Sequence, residues 1–398
     1  MPSLLFINRV YPPDIGATGR VLEHVAHGFV AAGWEVTVLT TAGEHSKAGS
    51  VLQNGVKVVR IASSFSKKSL VSRALGYAVM IPALGLRALS LPRVDVVVTK
   101  TDPPMLLVLG PFLRLLKGSR TIHWAQDLYP EVAEELGAMT RGGVIAGMIR
   151  SISTWSMKGH DLTIAVGRCM EVRLKKRGIS ANRIRVIPNT GIEQEIKPVE
   201  RDTNPFRARH GLGDAFVVEY SGNLGRAHDF DTILESARLL QERGEEGILF
   251  LIIGGGPGER MVREEASRLG LRNMRFISSQ PAASLSESLG AGDLHLVTMR
   301  EGTSGLVVPS KFYGVLAAGR PCLFVGPAES EVALAIREGG LGEVVAPGEA
   351  GLLADSILRY RSDPGRCREV ASRGRSFLES QDAAGLFLRS AGELLSPA

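Results

Sequence analysis

Short apolar runs alternate with stretches of helical periodicity along the whole chain. In the first half the runs predict strands near residues 4–8, 35–40, 56–61, 94–99, 120–124, 162–166 and 185–187. In the second half they fall near residues 216–221, 249–254, 274–277, 294–298, 321–325 and 342–345. Near-continuous apolar strands between helices imply parallel sheets covered on both faces. Two such sets predict two Rossmann-like domains. Residues 188–213 are polar, with Pro188, Pro198 and Pro205, and read as the linker.

At 398 residues the chain is long enough for two ordinary domains. Its 44% apolar and 22% charged content is that of a globular protein. Cys169, Cys322 and Cys367 have no metal or redox spacing and fit inert packing in a reducing cytosol. Charge is asymmetric. Residues 1–190 carry 24 Lys and Arg against 12 Asp and Glu, a net of +12, and the rest carry 23 against 29, a net of −6. The basic half points to an anionic partner surface. No basic groove interleaved with aromatics is visible, which argues against nucleic acid. The uncharged run 74–86 is too short to span a bilayer comfortably and contains Pro82. With Lys67, Lys68, Arg73 and Arg87 around it, it predicts a segment lying in the headgroup plane, and residues 112–117 are candidates for the same surface.

Candidate chemistry sits on loops between strands and helices. Glu301-Gly302-Thr303-Ser304-Gly305 leads through an apolar run into Pro309-Ser310-Lys311 and a small-residue helix. That arrangement predicts an anion site, with Lys311 beside free N–H groups. Tyr11-Pro12-Pro13-Asp14-Ile15-Gly16-Ala17 follows the first strand, so the N–H groups of Gly16 and Ala17 are candidates for a phosphate. Ser221-Gly222-Asn223-Leu224-Gly225-Arg226 ends the first strand of the second half and offers Arg226 as a cation. Gly254-Gly255-Gly256 follows the next strand. His123-Trp124-Ala125-Gln126-Asp127-Leu128-Tyr129-Pro130-Glu131 puts an imidazole and two carboxylates after an apolar strand, where an acceptor hydroxyl can be oriented or deprotonated. Asp229-Phe230-Asp231 opens a helix and reads as a cap rather than a metal site. No His/Cys cluster suggests a metal elsewhere, so no metal or other cofactor is expected.

These stretches resemble, in order, the motifs of the retaining group 1 (family 4) glycosyltransferases of GT-B fold. The Pro-Ser-Lys-Phe-Tyr-Gly-Val-Leu-Ala-Ala-Gly-Arg-Pro form is similar to the WbuB-like branch of O-antigen, capsule and colanic-acid transferases. Many members carry two glutamates, and here Gly314 stands where the second would be, with Glu301 a candidate for the first. The resemblance implies an α/β GT-B architecture of two Rossmann-like domains facing across a cleft. Residues 1–190 would form the acceptor-side domain and 191–370 the nucleotide-sugar domain, with 371–398 ending in a helix that crosses back to the first.

The resemblance further implies transfer of a sugar, with retention, from a nucleoside diphosphate to a lipid-linked saccharide at the cytoplasmic face of the membrane. A UDP-linked donor is the family-weighted expectation, N-acetylfucosamine or a related amino sugar among the candidates. Arg226, Lys311, Asp127 and His123 are then the catalytic candidates. Gly16, Ala17, Asn223, Gly254, Gly255, Glu301, Gly305 and Ser310 would bind the donor, and Glu131 would lie on the acceptor side. A GT-B sugar-nucleotide epimerase and a non-catalytic sugar-nucleotide-binding subunit are the rival expectations.

Overall fold

The computed structural model describes residues 1–14, 16–63 and 70–396. The chain divides into two compact units. One comprises Met1–Ile192, Gly305–Val307 and Asp382–Ala398, and the other Glu193–Ser304 and Val308–Gln381. The crossing segment therefore starts at Asp382, because the helix Pro364–Glu379 packs on the helix Lys311–Ala317 of the second unit.

The first unit is built on eight strands: β1 (Ser3–Ile7), β2 (Glu35–Thr41), β3 (Gly49–Gln53), β4 (Val56–Ile61), β5 (Val96–Thr99), β6 (Arg120–Ala125), β7 (Leu162–Ala165) and β8 (Ile184–Val186). Their spatial order is β3-β4-β2-β1-β5-β6-β7-β8. All neighbours are parallel except β3 and β4. The pair β3–β4 is a hairpin turning at Asn54 (φ 49°) and Gly55 (φ 80°), the positive-φ geometry that an Asn-Gly pair favours. The first five helices are α1 (Ala17–Ala31), α2 (Leu70–Ser90), α3 (Leu109–Lys117), α4 (Glu131–Glu135) and α5 (Val144–Gly159). The terminal helix Ala383–Glu393 packs on α1, and its Phe387 ring meets Phe6, Phe29 and Trp124 edge-on. Aromatic burial of this kind fixes that helix to the first unit.

The second unit holds six parallel strands: β9 (Phe216–Ser221), β10 (Ile248–Ile253), β11 (Met274–Ile277), β12 (Leu294–Thr298), β13 (Cys322–Val325) and β14 (Gly342–Val345). Their order is β11-β10-β9-β12-β13-β14. Sequence order reverses at β9, which lies between β10 and β12, so the loops after β9 and β12 flank the switch point where ligands bind in such sheets. Asp293 accepts from the Val217 N–H (2.8 Å) and pairs with Arg201 and Arg207, anchoring β9 at its other end.

Candidate active site

In the second unit, two glycine turns interlock at the strand ends. Leu224 N–H donates to the Gly255 carbonyl (2.9 Å), and Gly258 N–H donates to the Leu224 carbonyl (2.8 Å). Gly254 has φ 140°, and a Cβ there would stand 2.0 Å from the Gly222 carbonyl oxygen. A Cβ on Gly256 would stand 2.4 Å from Asn223 Oδ1. Glycine is needed so that one turn can lie on the other. Gly254 spends its own N–H on the Ile277 carbonyl, so that group is not free for a ligand. Gly254→Ala should therefore lower stability by about 3 kcal/mol or more, read as an earlier midpoint in denaturant.

Lys311 reaches into this corner. Its Nζ donates to the Tyr220 hydroxyl, to His228 Nε2 (3.3 Å) and to the Asn223 carbonyl (3.3 Å), and lies 4.2 Å from the Tyr220 ring centre. Gly222 makes room, since a Cβ there would be 3.0 Å from Lys311 Cε. All three acceptors are neutral. His228 Nδ1–H donates to the Thr298 carbonyl (2.8 Å), which leaves Nε2 as the acceptor. Tyr220 donates its own proton to the Asn223 carbonyl (2.8 Å). Among the described residues Lys311 has no carboxylate partner. Burial pushes its amine down to about 7. Burial and the Lys311 charge push His228 down to about 4, and burial raises Tyr220. A lysine held by neutral dipoles in a partly dry corner has the chemistry to take an anion.

The structure places the other donor-side candidates less uniformly. Asn223 and Arg226 are exposed beside this corner, and Arg226 forms no ion pair among the described residues. Ser310 precedes the seven-residue helix Lys311–Ala317 without a side-chain cap bond. That helix start is not a ready anion cradle. The Phe312 N–H bonds back to the Pro309 carbonyl (3.3 Å) and the Tyr313 N–H to the Ser310 carbonyl (3.2 Å). Glu301 is exposed in a turn. Gly305 (φ 71°) groups with the first unit, where a Cβ would stand 2.5 Å from the Cys169 carbonyl. Its close approach is to protein backbone. Gly314 is buried, and a Cβ would meet only Ile196 and Leu289 methyls at 3.7 Å. Asp229 caps its helix through the Thr232 N–H (3.1 Å).

In the first unit, Gly16 precedes α1 and takes the Gly19 and Arg20 N–H bonds on its carbonyl, while Ala17 opens the helix. Ile15 lies outside the described residues. Asp127 follows β6, and its carboxylate makes no hydrogen bond among the described residues. Burial and the Asp102 charge push it up to about 6, against the pull of Lys100.

Lys100 is the residue that motif reading missed. It is fully buried at the end of β5, donates to the Thr18 carbonyl in the first turn of α1 (2.9 Å), and sits 3.7 Å over the Trp124 ring. Burial lowers it to about 7, against Asp102 and Asp127. Asp102 is itself held by Arg9 in a two-pronged pair (2.7 and 3.0 Å). Gln126 and Asn189 exchange two amide hydrogen bonds alongside (2.9 and 2.7 Å).

Two acceptor-side candidates change character. His123 is fully buried in β6, donates from Nδ1 to the Thr99 carbonyl (3.2 Å), and lies 5.6 Å from the His160 ring. Burial and His160 push it down to about 3, so it is a neutral core imidazole. Glu131 is tied to Arg150 (2.9 Å) and to the half-buried Arg177, which also caps the Tyr129 carbonyl. That network holds α4 against α5 and leaves Glu131 no obvious freedom for an acceptor.

The chain thus has two Rossmann-like units, one of them carrying Lys311 among glycine turns. Residues 16–190 match the glycosyl transferase 4-like domain and residues 202–377 match glycosyl transferases group 1. The chain belongs to the group 1 glycosyltransferases and is a transferase of GT-B fold. It is 29% identical over 293 residues to WbjE of Pseudomonas aeruginosa, whose name assigns it as a glycosyltransferase, covering 73% of this chain and 72% of that one. It is 28% identical to WcaI of Escherichia coli K12, named for a colanic acid biosynthesis glycosyl transferase, over 57% of this chain and 56% of the relative. Among solved structures, HepE of Anabaena in complex with UDP superposes with a TM-score of 0.73 at 16% identity, covering 98% of this chain and 99% of the other.

Proposed function

We propose that this enzyme moves a sugar from a nucleoside diphosphate to a lipid-linked saccharide, with retention, in the synthesis of a cell-surface polysaccharide. The observation that carries the reading is Lys311, a half-buried ammonium that lacks a carboxylate and faces glycine turns at the switch point of the second sheet. In the reaction the bond between the anomeric carbon and the diphosphate oxygen breaks as the acceptor oxygen bonds to that carbon. The acceptor proton passes to the departing diphosphate. Lys311 stabilises the charge that grows on that leaving group, and Arg226 adds a second cation from the solvent side. Asp127, in the first unit, orients the acceptor hydroxyl. No metal or other cofactor enters this scheme. UDP is the favoured base, in keeping with the HepE complex, and an amino sugar such as N-acetylfucosamine the favoured cargo.

A membrane-bound acceptor requires the enzyme to work at the cytoplasmic surface of the bilayer. Among the described residues no helix is long and apolar enough to cross a membrane. The helix α2 is two-faced: Met80, Leu84 and Ala88 are buried in the core, while Leu75, Val79 and Leu86 are exposed. Arg87 is exposed beside them. Lys67 and Lys68 lie outside the described residues, as does the Arg73 side chain. This face supports the membrane reading.

A panel of nucleoside diphosphates and their sugars, scored by thermal unfolding, tests the donor. The true base at a hundred times its dissociation constant should stabilise the protein by about 2.7 kcal/mol. If no uridine, guanosine, adenosine or thymidine diphosphate raises the midpoint, the donor reading fails.

A further inference from the structure

We infer that α5 and α3, and not α2 alone, form the surface by which this chain inserts into an anionic bilayer. The packing puts the three helices side by side. Here α3 lies between α2 and α5, with Leu109 against Gly85 on one flank and Pro111 against Gly159 on the other. Lys117, at the end of α3, donates to the Ala88 carbonyl (2.9 Å) and ties that end to α2.

Each helix leaves one apolar row in solvent. On α5 the row is Val144, Ile145, Met148, Ile152 and Trp155, spaced as one face of a helix, and Val144 is 82% exposed. On α3 it is Phe112, Leu115 and Leu116, with Leu115 81% exposed. The rings of Phe112 and Trp155 meet at 6.0 Å, so the two rows are continuous. On α2, which packs against α3, Leu75, Val79 and Leu86 are exposed as well. Contiguous exposed apolar rows of this extent mark a contact surface rather than scattered surface residues.

Charge decides what covers it. The sequences of α2, α3 and α5 contain no aspartate or glutamate, whereas they carry Arg73, Arg87, Arg114, Lys117, Arg150 and Lys158. The nearest carboxylates come from other segments and are spent: Asp161 on Arg114, and Glu131 and Glu134 on Arg150. Arg87 and Lys158 remain exposed at the patch margin. An apolar face with exposed Arg87 and Lys158 at its margin, and with its neighbouring carboxylates held in ion pairs, fits the interface of a bilayer with anionic headgroups, with Trp155 at the depth where aromatic side chains settle. A second copy of the same face would set basic edge against basic edge.

The inference rests on the membrane reading above only for its occupant. Its test uses the full chain with phosphatidylcholine vesicles, with and without phosphatidylglycerol. Binding should require the anionic lipid and weaken with salt. The triple variant Ile145→Ser, Met148→Ser, Ile152→Ser changes exposed side chains only, and it should bind about tenfold more weakly or worse. Lipids brominated in the acyl chain should quench the fluorescence of the wild type, and Trp155→Phe should remove most of that quenching. An equal change at the exposed Leu352 of the second unit, Leu352→Ser, should leave binding unaltered.

Full vesicle binding by the triple variant, or absence of acyl-chain quenching, overturns the inference. So does a lipid-free dimer in sedimentation that the triple variant abolishes, since a second copy would then be the occupant. The nucleotide panel is read separately without lipid, so failure of the donor assignment and failure of this surface are distinguishable.

Discussion

Replacing Lys311 with methionine lowers kcat/KM for the donor by about a hundredfold or more, with little loss of folded protein. Among the described residues the ammonium is the one charge bonded into the corner between Tyr220, Asn223 and His228, and each of its present acceptors is neutral. When a diphosphate arrives, this charge is stabilised against a group whose negative charge grows as the sugar leaves. Methionine keeps much of the apolar stem and removes only the charge and the three donated bonds.

A pH signature separates this role from a packing one. In the free protein burial holds the lysine near 7 rather than at its usual value. Between about 7 and the ordinary lysine range the unfolded chain binds the extra proton, so this group makes the free protein more stable as pH rises through that window. A bound diphosphate favours the ammonium and offsets the trend. Binding of UDP at about pH 8 should therefore take up a proton, seen as a calorimetric enthalpy that changes with the ionisation heat of the buffer. Lys311→Met should abolish the uptake along with most of the affinity. Unchanged uptake in the variant would assign the proton elsewhere, and unchanged kcat/KM would reduce Lys311 to a pillar under the glycine turn.

Much of this was legible from residue order, and the gaps have physical causes. Alternation of apolar runs and helical periods marked thirteen strands, since both sheets are buried on their faces. The hairpin strand β3 escaped because nearly all its side chains are exposed and no apolar run betrays it, although Asn54-Gly55 was a turn signal. Glycine turns and Lys311 were readable because backbone geometry restricts which residues can stand there.

Charge pairing was not readable. Glu131 looks like a free carboxylate in its motif, and its partners Arg150 and Arg177 are 19 and 46 residues away. His123 looks like a catalytic imidazole, but its position within β6 turns it into the core. The apolar rows of α5 carry the same period whether they face core or water. Only the packing of α5 shows that Ala146, Ser153 and Met157 face inward and Ile145 and Ile152 do not. Lys100 had no signal at all, because a single lysine at a strand end is ordinarily a solvated one.

Lys100 and Asp127 together set the second large effect, on the acceptor side. Asp127→Asn should lower turnover at saturating donor by about a hundredfold, while leaving donor affinity within about twofold, because the residue belongs to the first unit. Its carboxylate accepts a hydroxyl hydrogen bond far more strongly when ionised, and burial and Asp102 raise it to about 6. Turnover should therefore fall as pH drops through about 6. Folding responds in the opposite sense. A carboxyl raised above its ordinary value binds its proton more tightly in the folded chain, so that stability is present at low pH and is lost as pH rises through about 6.

At neutral pH the charged Asp127 is thus a cost to the fold, and Asp127→Asn should melt no earlier than wild type. A site that gains activity from a strained charge trades stability for it. Lys100→Met sharpens the test. Arg9 stays committed to Asp102, so loss of Lys100 removes the cation that opposes burial at Asp127. The acid limb of the pH profile should move upward, and the first turn of α1 should loosen as the bond to Thr18 disappears. An acid limb that stays in place in Lys100→Met, or a turnover in Asp127→Asn equal to wild type, would leave Asp127 a buried structural carboxylate and send the search for the acceptor's partner to another residue of the first unit.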